Sequence, residues 1–347
     1  MFSTILMLSI LLTTQLIQLG LAGLFLWIGL RWAKAEKVTS WRIIATTIAL
    51  AAINLGLCLA LLTAASLPRH AILPLLILLF GLQLLMPVLL VRWLFGLSVG
   101  RSIQAWLPTL LVPVCAFALF VTVLRPFVFE AFVCSANSMA PTLRGKHWQG
   151  TCPQCRATTF CSPPDEYEIR SGEPKQVICE NFHITEHLFA EETNEAVHPA
   201  DRMLVAKYQA PRRWDLIAFR FPEDPRQIYV KRLVGLPGET IVIKNGNVFA
   251  NDKQLIPPEH LQGIQYFDRD PQLQANSFMG KFAGTTDDPA VLQEDQFFVL
   301  GDFSPNSNDS RMWGMYSANP KAYALPRENI LGVVTHIYWP LDRWRAF

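Results

Sequence analysis

Three short blocks of this chain hold residues that could do covalent chemistry. The first is Ala136-Asn137-Ser138-Met139-Ala140-Pro141-Thr142-Leu143, a serine followed by a tight Pro-Thr step. The second is Tyr229-Val230-Lys231-Arg232-Leu233-Val234-Gly235-Leu236-Pro237-Gly238-Glu239. The third runs from Val299-Leu300-Gly301-Asp302 to Asn306-Ser307-Asn308-Asp309-Ser310-Arg311. A serine hydroxyl is a weak nucleophile until a base takes its proton. Histidine is the usual base, but His147, His183, His187, His198, His260 and His336 show no persuasive pattern with a serine and an acid. Lysine can serve instead if burial keeps it neutral, because desolvation disfavours the ammonium. Strand alternation puts Tyr229, Lys231 and Leu233 on one face, with Val230 and Arg232 on the other. Lys231 then stands among apolar neighbours. A strand lysine taken singly is more often solvated; its combination with the two other blocks favours the base.

The elements that must position these blocks differ sharply between the two halves of the chain. Of its 347 residues 51% are hydrophobic, and the excess lies before about residue 130. Four apolar runs, 5–30, 43–67, 72–94 and 106–129, approach the ~20 residues that cross a bilayer. The region 1–130 therefore reads as a transmembrane anchor. Its first run lacks the basic start and small-residue cleavage site of a signal peptide, and further spans follow it. Arg31, Lys34, Lys37 and Arg42 lie between the first two spans, Arg92 and Arg101 between the last two, and only Arg69 and His70 in the middle loop. By the positive-inside rule the first and third loops are cytoplasmic, and residues 131–347 lie outside with the N-terminus. A net charge of +2 with no Lys/Arg-rich run argues against a nucleic-acid partner.

Residues 131–347 read as a mostly antiparallel β domain. Short apolar runs at 204–208, 216–221, 227–234, 240–243, 248–249, 297–300 and 332–339 are bounded by polar residues or proline. Asn245-Gly246 predicts a hairpin, since a type I′ turn needs positive φ at both central positions. Residues 146–199 form a Cys-containing insertion, and about 245–296 a smaller appended region. In the insertion, Cys152 and Cys155 have zinc-knuckle spacing, and Cys179 is followed by His183. A second C-x-x-C is missing, and an extracytoplasmic location favours disulfides. A structural zinc, disulfides and no bridging all stay open.

In order, these blocks resemble the type I signal peptidases (leader peptidases), membrane-bound Ser-Lys endopeptidases. The resemblance extends from Leu124-Arg125-Pro126-Phe127-Val128-Phe129 through Ser138-Met139-Ala140-Pro141-Thr142-Leu143, Asp201-Arg202-Met203-Leu204-Val205-Ala206-Lys207 and the lysine block to Gly301-Asp302 and Ser310-Arg311. It implies Ser138 as nucleophile, Lys231 as general base, and Ser307 as the hydroxyl that hydrogen-bonds and orients the lysine. Asp302, Asp309 and Arg311 would support the site. Met139, Cys134, Tyr229 and Val230 would wall shallow pockets for the small side chains after which the family cleaves. No cofactor is required for that reaction; a zinc at Cys152, Cys155, Cys179 and His183 would be structural. The partners implied are preprotein signal peptides and the lipid bilayer, and the location is the bacterial cytoplasmic (inner) membrane with the catalytic domain outside. Ala136 departs from the family, which carries Ser or Gly there; the Ser form supplies an oxyanion donor. A backbone donor, a water or Asn137 are the alternatives. Phe303 and Ser304 replace the family's Asn and Arg, and Trp214 a glycine. Two other readings stand beside this one: a self-cleaving Ser-Lys repressor type, disfavoured by the four spans, and a catalytically impaired membrane scaffold whose Cys-rich insertion binds a partner.

The topology generates a direct prediction. A thiol reagent excluded from the cytoplasm labels a cysteine probe placed near residue 260 and misses one at residue 36. Labelling in the opposite pattern removes the orientation.

Overall fold

A computed structural model describes residues 2–64, 69–163, 174–187, 196–268, 282–313 and 322–347. The end of the second expected span and parts of both the insertion and the appended region lie outside them. The chain divides into two compact units, Met1–Leu124 and Arg125–Phe347.

The first unit is helical. Helices α1 (Phe2–Trp32), α2 (Ser40–Ala64) and α3 (Arg69–Phe95) are followed by α4 (Val99–Trp106) and α5 (Leu111–Leu119). Among the described residues, four stretches are long and apolar enough to cross a membrane: Leu12–Trp32, Ser40–Leu57, Leu73–Phe95 and Val99–Val128. The fourth starts earlier than the expected 106 and is not one regular helix. A 3₁₀ turn, Leu107–Leu110, joins α4 to α5, and a π-helical segment, Phe120–Val128, follows. Pro108, Pro113 and Pro126 each remove an N–H donor from the helical ladder there, which accounts for the irregularity. Leu26, Leu30, Val91, Phe95 and Ala105 form a small core inside this unit. Gly29 lets α1 approach α4: a Cβ there would lie 1.9 Å from the Ala105 carbonyl oxygen.

The second unit is built on antiparallel sheets. Its main sheet orders β1 (Phe129–Val133), β6 (Arg202–Ala206), β15 (Ile330–Trp339), β7 (Leu216–Arg220), β8 (Ile228–Gly235), β13 (Gln296–Leu300) and β14 (Leu325–Pro326), with β16 (Arg345–Ala346) paired to β15. Alternation along β7 divides two cores. Leu216 and Ala218 pack with Cys134, Met139 and Leu143, while Ile217 and Phe219 pack with Leu233, Val299 and Trp313. A second sheet comprises β9 (Thr240–Lys244), β10 (Asn247–Ala250), β11 (Lys253–Gln254) and β12 (Ala290–Val291). Its β9–β10 turn is the expected hairpin: Asn245 and Gly246 have φ of 50° and 79°. The insertion folds as a third sheet, β2 (Trp148–Thr151), β3 (Thr158–Cys161), β4 (Lys175–Cys179) and β5 (Ile184–His187). It is not an isolated appendage, because Phe160, Ile178 and Phe182 share a core with Val234, Ile241 and Leu300.

Two pairings bring distant blocks together. Arg232 on β8 lies opposite Leu216 on β7 and Leu300 on β13. Leu300 immediately precedes Gly301, so the third sequence block leaves the sheet beside the lysine strand. On the other side of the sheet, β1 pairs with β6 as far as Val133–Arg202, and the segment leading to Ser138 starts at the next residue.

Candidate active site

Lys231 Nζ and Ser138 Oγ are 2.6 Å apart. An ammonium would donate this hydrogen bond; a neutral amine can accept it from the hydroxyl. Lys231 is 4% exposed, and burial pushes its amine down to about 8, against the opposing pull of Asp309 and the smaller effect of Cys134. Among the described residues Ser138 is its hydrogen-bond partner. The pair borders a cleft of about 510 Å³. Cys134, Met139, Tyr229 and Val230 line that cleft, as does Ser307, and among the described residues it has no histidine. Burial, with Asp201 next, pushes the Cys134 thiol up to about 12.

The expected hydrogen bond from Ser307 to the lysine is not made. Ser307 is buried, and its Oγ has no partner. It sits against Gly301: a Cβ there would lie 2.0 Å from Ser307 Oγ and 2.7 Å from the Ser138 carbonyl oxygen. The close passage of backbone past the nucleophile is what that position requires of glycine.

Asp302 ties three segments together. Arg232 Nε donates to its Oδ1 at 2.7 Å and Arg232 Nη2 to its Oδ2 at 2.5 Å, while Thr142 Oγ1 donates to Oδ2. Arg232 and Asp302 are 2% and 1% exposed, so the pair lies in the core. Arg232 does leave the face of Lys231 as alternation requires, but it ends in a bidentate buried bridge. That role was not read from the sequence, whose only hint is an arginine inside an apolar strand. Arg232 Nη1 also donates to the Trp214 carbonyl at 2.7 Å. Trp214 has φ of 72°, the left-handed region that glycine adopts freely, which gives the family's glycine there a backbone reason.

Asp309 and Arg311 form a second buried bridge, through Arg311 Nε to Oδ1 and Nη2 to Oδ2, both 2.8 Å. Asp309 also accepts the Gly301 N–H at 2.9 Å. Ser304, a departure from the family, accepts from Arg311 Nη1 at 2.6 Å and from the Phe267 N–H at 2.9 Å. Phe303 is fully buried and its N–H donates to the Ser138 carbonyl at 3.0 Å.

The turn that carries Ser138 is held from its other side by residues the sequence reading missed. Asp201 accepts the Arg144 N–H at 2.8 Å and both Nε and Nη2 of Arg343 at 2.7 Å. Arg345 Nη2 donates to the Thr142 carbonyl at 3.0 Å. No local periodicity marks these two arginines, because their acceptors lie far back in the chain. Asn137 is not free to assist at Ser138. Its Nδ2 donates to the Lys146 carbonyl at 2.8 Å and to Ser162 Oγ at 3.0 Å, and its Oδ1 accepts the Gly145 N–H.

Cys152, Cys155, Cys179 and His183 converge, with one ligand atom from each within 4.8 Å of all the others. Cys161 is not part of that group.

The buried bridge generates a prediction. Asp302→Asn leaves the Arg232 guanidinium buried without its counter-charge, a change that costs about 3–5 kcal/mol in comparable sites. The full chain in detergent should unfold at clearly lower denaturant; unchanged stability would show that the Arg232 charge is balanced by another group.

Residues 177–339 match the family model described as signal peptidase, peptidase S26. The match includes Lys231 and the 301–311 block, and Ser138 lies before it. A signal peptidase I of Leptolyngbya laminosa is 31% identical, covering 41% of this chain and 62% of that protein. Signal peptidase I P of Bacillus subtilis subsp. natto is 35% identical, covering 39% of this chain and 63% of that protein. The chain thus spans less than two thirds of the length of these curated relatives. A solved signal peptidase I from Enterococcus faecalis V583 is 28% identical and covers 37% of this chain and 98% of that chain, at a TM-score of 0.25. Beside the Ser-Lys contact in the cleft, this chain is thus similar, across the lysine strand and the block that follows it, to the peptidase S26 family model and to these signal peptidases I.

Proposed function

We propose that this chain is a membrane-bound serine endopeptidase that removes N-terminal signal peptides from exported preproteins, cleaving after small residues with a Ser138–Lys231 dyad. The observation that carries the reading is the 2.6 Å contact between Lys231 Nζ and Ser138 Oγ at the edge of a cleft, with the amine buried. Neutral Lys231 takes the Ser138 proton as Oγ attacks the scissile carbonyl, which forms a tetrahedral oxyanion. The Ser138 backbone N–H is the donor we assign to that oxyanion, because Ala136 has no side-chain donor and Asn137 is committed to Lys146 and Ser162. Lysine then gives the proton to the leaving amine, and an acyl-serine remains. Water, deprotonated by the same lysine, attacks the acyl carbon, and the proton returns to Ser138.

Ser307 lines the same cleft with a buried, unpartnered hydroxyl. We keep it as the group that orients the amine once Lys231 is neutral, since a buried hydroxyl without a partner is costly. Met139, Cys134, Tyr229 and Val230 are assigned to the walls that receive the small side chains. Asp302, Asp309 and Arg311 are assigned to support through the two buried bridges. The reaction needs no cofactor in this reading, and a zinc at the Cys/His cluster is structural. The four long apolar stretches are read as a multi-pass anchor in the bacterial cytoplasmic membrane, with residues 131–347 outside and no nucleic acid among the partners. Only Ala136, which offers no side-chain donor, favours the scaffold alternative, and the Ser138–Lys231 contact speaks against it.

Two predictions test the reading. Ser138→Ala and Lys231→Ala each lower kcat by about 10⁴-fold or more on a preprotein with alanine at the last and third-last signal positions. The double variant is no worse, because the two act as one unit. Lys231→Arg is equally dead, since a guanidinium keeps its proton. Full activity of Lys231→Ala would mean that another base serves Ser138. The second is the pH profile. The working lysine is the unprotonated one, so kcat/KM rises with pH through about 8 and levels off above it. A rise that tracks a free lysine near ~10.4 overturns the buried base.

A further inference from the structure

Four residues of the insertion have the types and placement of a tetrahedral metal site. Cys152 and Cys155 flank the tight turn before β3, Cys179 ends β4, and His183 precedes β5. Cys155 Sγ and Cys179 Sγ are 3.7 Å apart, and Cys152 Sγ and His183 Nδ1 are 3.9 Å apart. Zn–S bonds of about 2.3 Å at tetrahedral angles place two sulfurs about 3.7–3.8 Å apart. No disulfide joins these cysteines. The surroundings suit thiolates. The His183 N–H donates to Cys179 Sγ at 3.3 Å, and Asn181 Nδ2 donates to Cys155 Sγ at 3.4 Å. Such donors orient and stabilise first ligands carrying negative charge. Three sulfurs and one imidazole select zinc over the hard cations, and four protein ligands leave no open position for a reacting water.

The sheet that carries these ligands also grips the nucleophile turn. Cys161 ends β3 and Ser162 follows it, and Ser162 Oγ accepts from Asn137, the residue before Ser138. Glu180, next to Cys179, pairs with Arg144 at 3.3 Å. The Arg144 guanidinium lies 3.5 Å from the ring centroid of Phe160 on β3. His147 Nδ1 donates to the Gly145 carbonyl at 2.8 Å and its ring stacks on His198. Gly145 in turn packs on Ala136: a Cβ there would lie 2.9 Å from the Ala136 carbonyl carbon. Residues 136–147 are thus bonded to strands whose ends meet at the four ligands.

We propose that Cys152, Cys155, Cys179 and His183 bind one zinc ion, and that this ion, by closing the β2–β5 sheet, fixes the nucleophile turn through Asn137 and Arg144. The metal touches neither substrate nor the dyad; Asn137 and Arg144 are positioning residues. The clamp half of the proposal rests on the signal-peptidase reading, and the metal half does not.

The test uses the full chain purified in detergent. Elemental analysis is expected to give one zinc per chain, and the Cys152→Ser/Cys155→Ser double variant none. Cobalt(II) in place of zinc is expected to give the intense visible bands of a tetrahedral thiolate site. Stripping the wild-type protein with a chelator should expose residues 136–147 to hydrogen exchange. It should also lower kcat on a preprotein by about 10- to 100-fold, the scale of a small misplacement of the nucleophile, with KM little changed, and added zinc should restore it. Asn137→Ala should show the same fall in kcat with its zinc retained. Metal-free, active protein with a Cys155–Cys179 disulfide by mass spectrometry overturns the site. Stripping that leaves both exchange at 136–147 and kcat unchanged overturns the clamp. If the chain cleaves no preprotein at all, zinc content, the cobalt spectrum and the exchange pattern still decide the proposal.

Discussion

Two adjacent residues on β8 carry cations into opposite sides of one sheet, and the site depends on how differently those charges are treated. Arg232 has its counter-charge: Asp302 takes two of its N–H groups and the Trp214 carbonyl a third. Lys231 has a serine hydroxyl and no carboxylate in hydrogen-bond contact. A buried arginine keeps its charge and demands a counter-ion, whereas a buried lysine can shed its proton. The same desolvation therefore makes a fixed anchor of one residue and gives the other a lowered affinity for its proton, which the proposed reading uses as a base. Because Asp302 also receives the Thr142 hydroxyl, the anchor reaches the turn on which Ser138 sits. Strand, loop and nucleophile turn share one carboxylate.

Burial on both faces of β8 has an energetic side. The folded state binds a proton at Lys231 less readily than the unfolded chain, so from about pH 8 down the native fold bears the full penalty of charging the amine. Above the range of a free lysine that penalty is gone. The two arginine–carboxylate bridges on either side supply the rigidity against which such a group is held, and Asp309 holds the Gly301 N–H as well as Arg311.

What was legible in the sequence was whatever local rules govern. The Asn245-Gly246 hairpin follows from backbone sterics over two residues, and the strands around it follow from short apolar runs. Lys231 was placed by alternation along a single strand. The insertion strands were not seen, because β2 to β5 are four or five residues long and carry threonines, a lysine and glutamines in place of a clean alternation. The buried partners of Arg232, Arg343 and Arg345 were not legible, since Asp302, Asp201 and the Thr142 carbonyl lie 70, 142 and 203 residues from them. Ser307 was assigned a bond to the lysine that its hydroxyl does not make.

The hold of Arg343 and Arg345 on Asp201 and Thr142 has a consequence for when such a site can exist. Ser138 and Lys231 are synthesised long before these arginines. Until residues 343–345 arrive, Asp201 is a carboxylate destined for burial without its counter-charge, and the Thr142 carbonyl lacks a donor. The turn that presents the nucleophile is therefore completed by the segment that emerges after β15. A chain still being made carries Ser138 and Lys231 but not the brace that holds the Ser138 turn, so the arrangement of the two is completed only once residues 343–345 have been made.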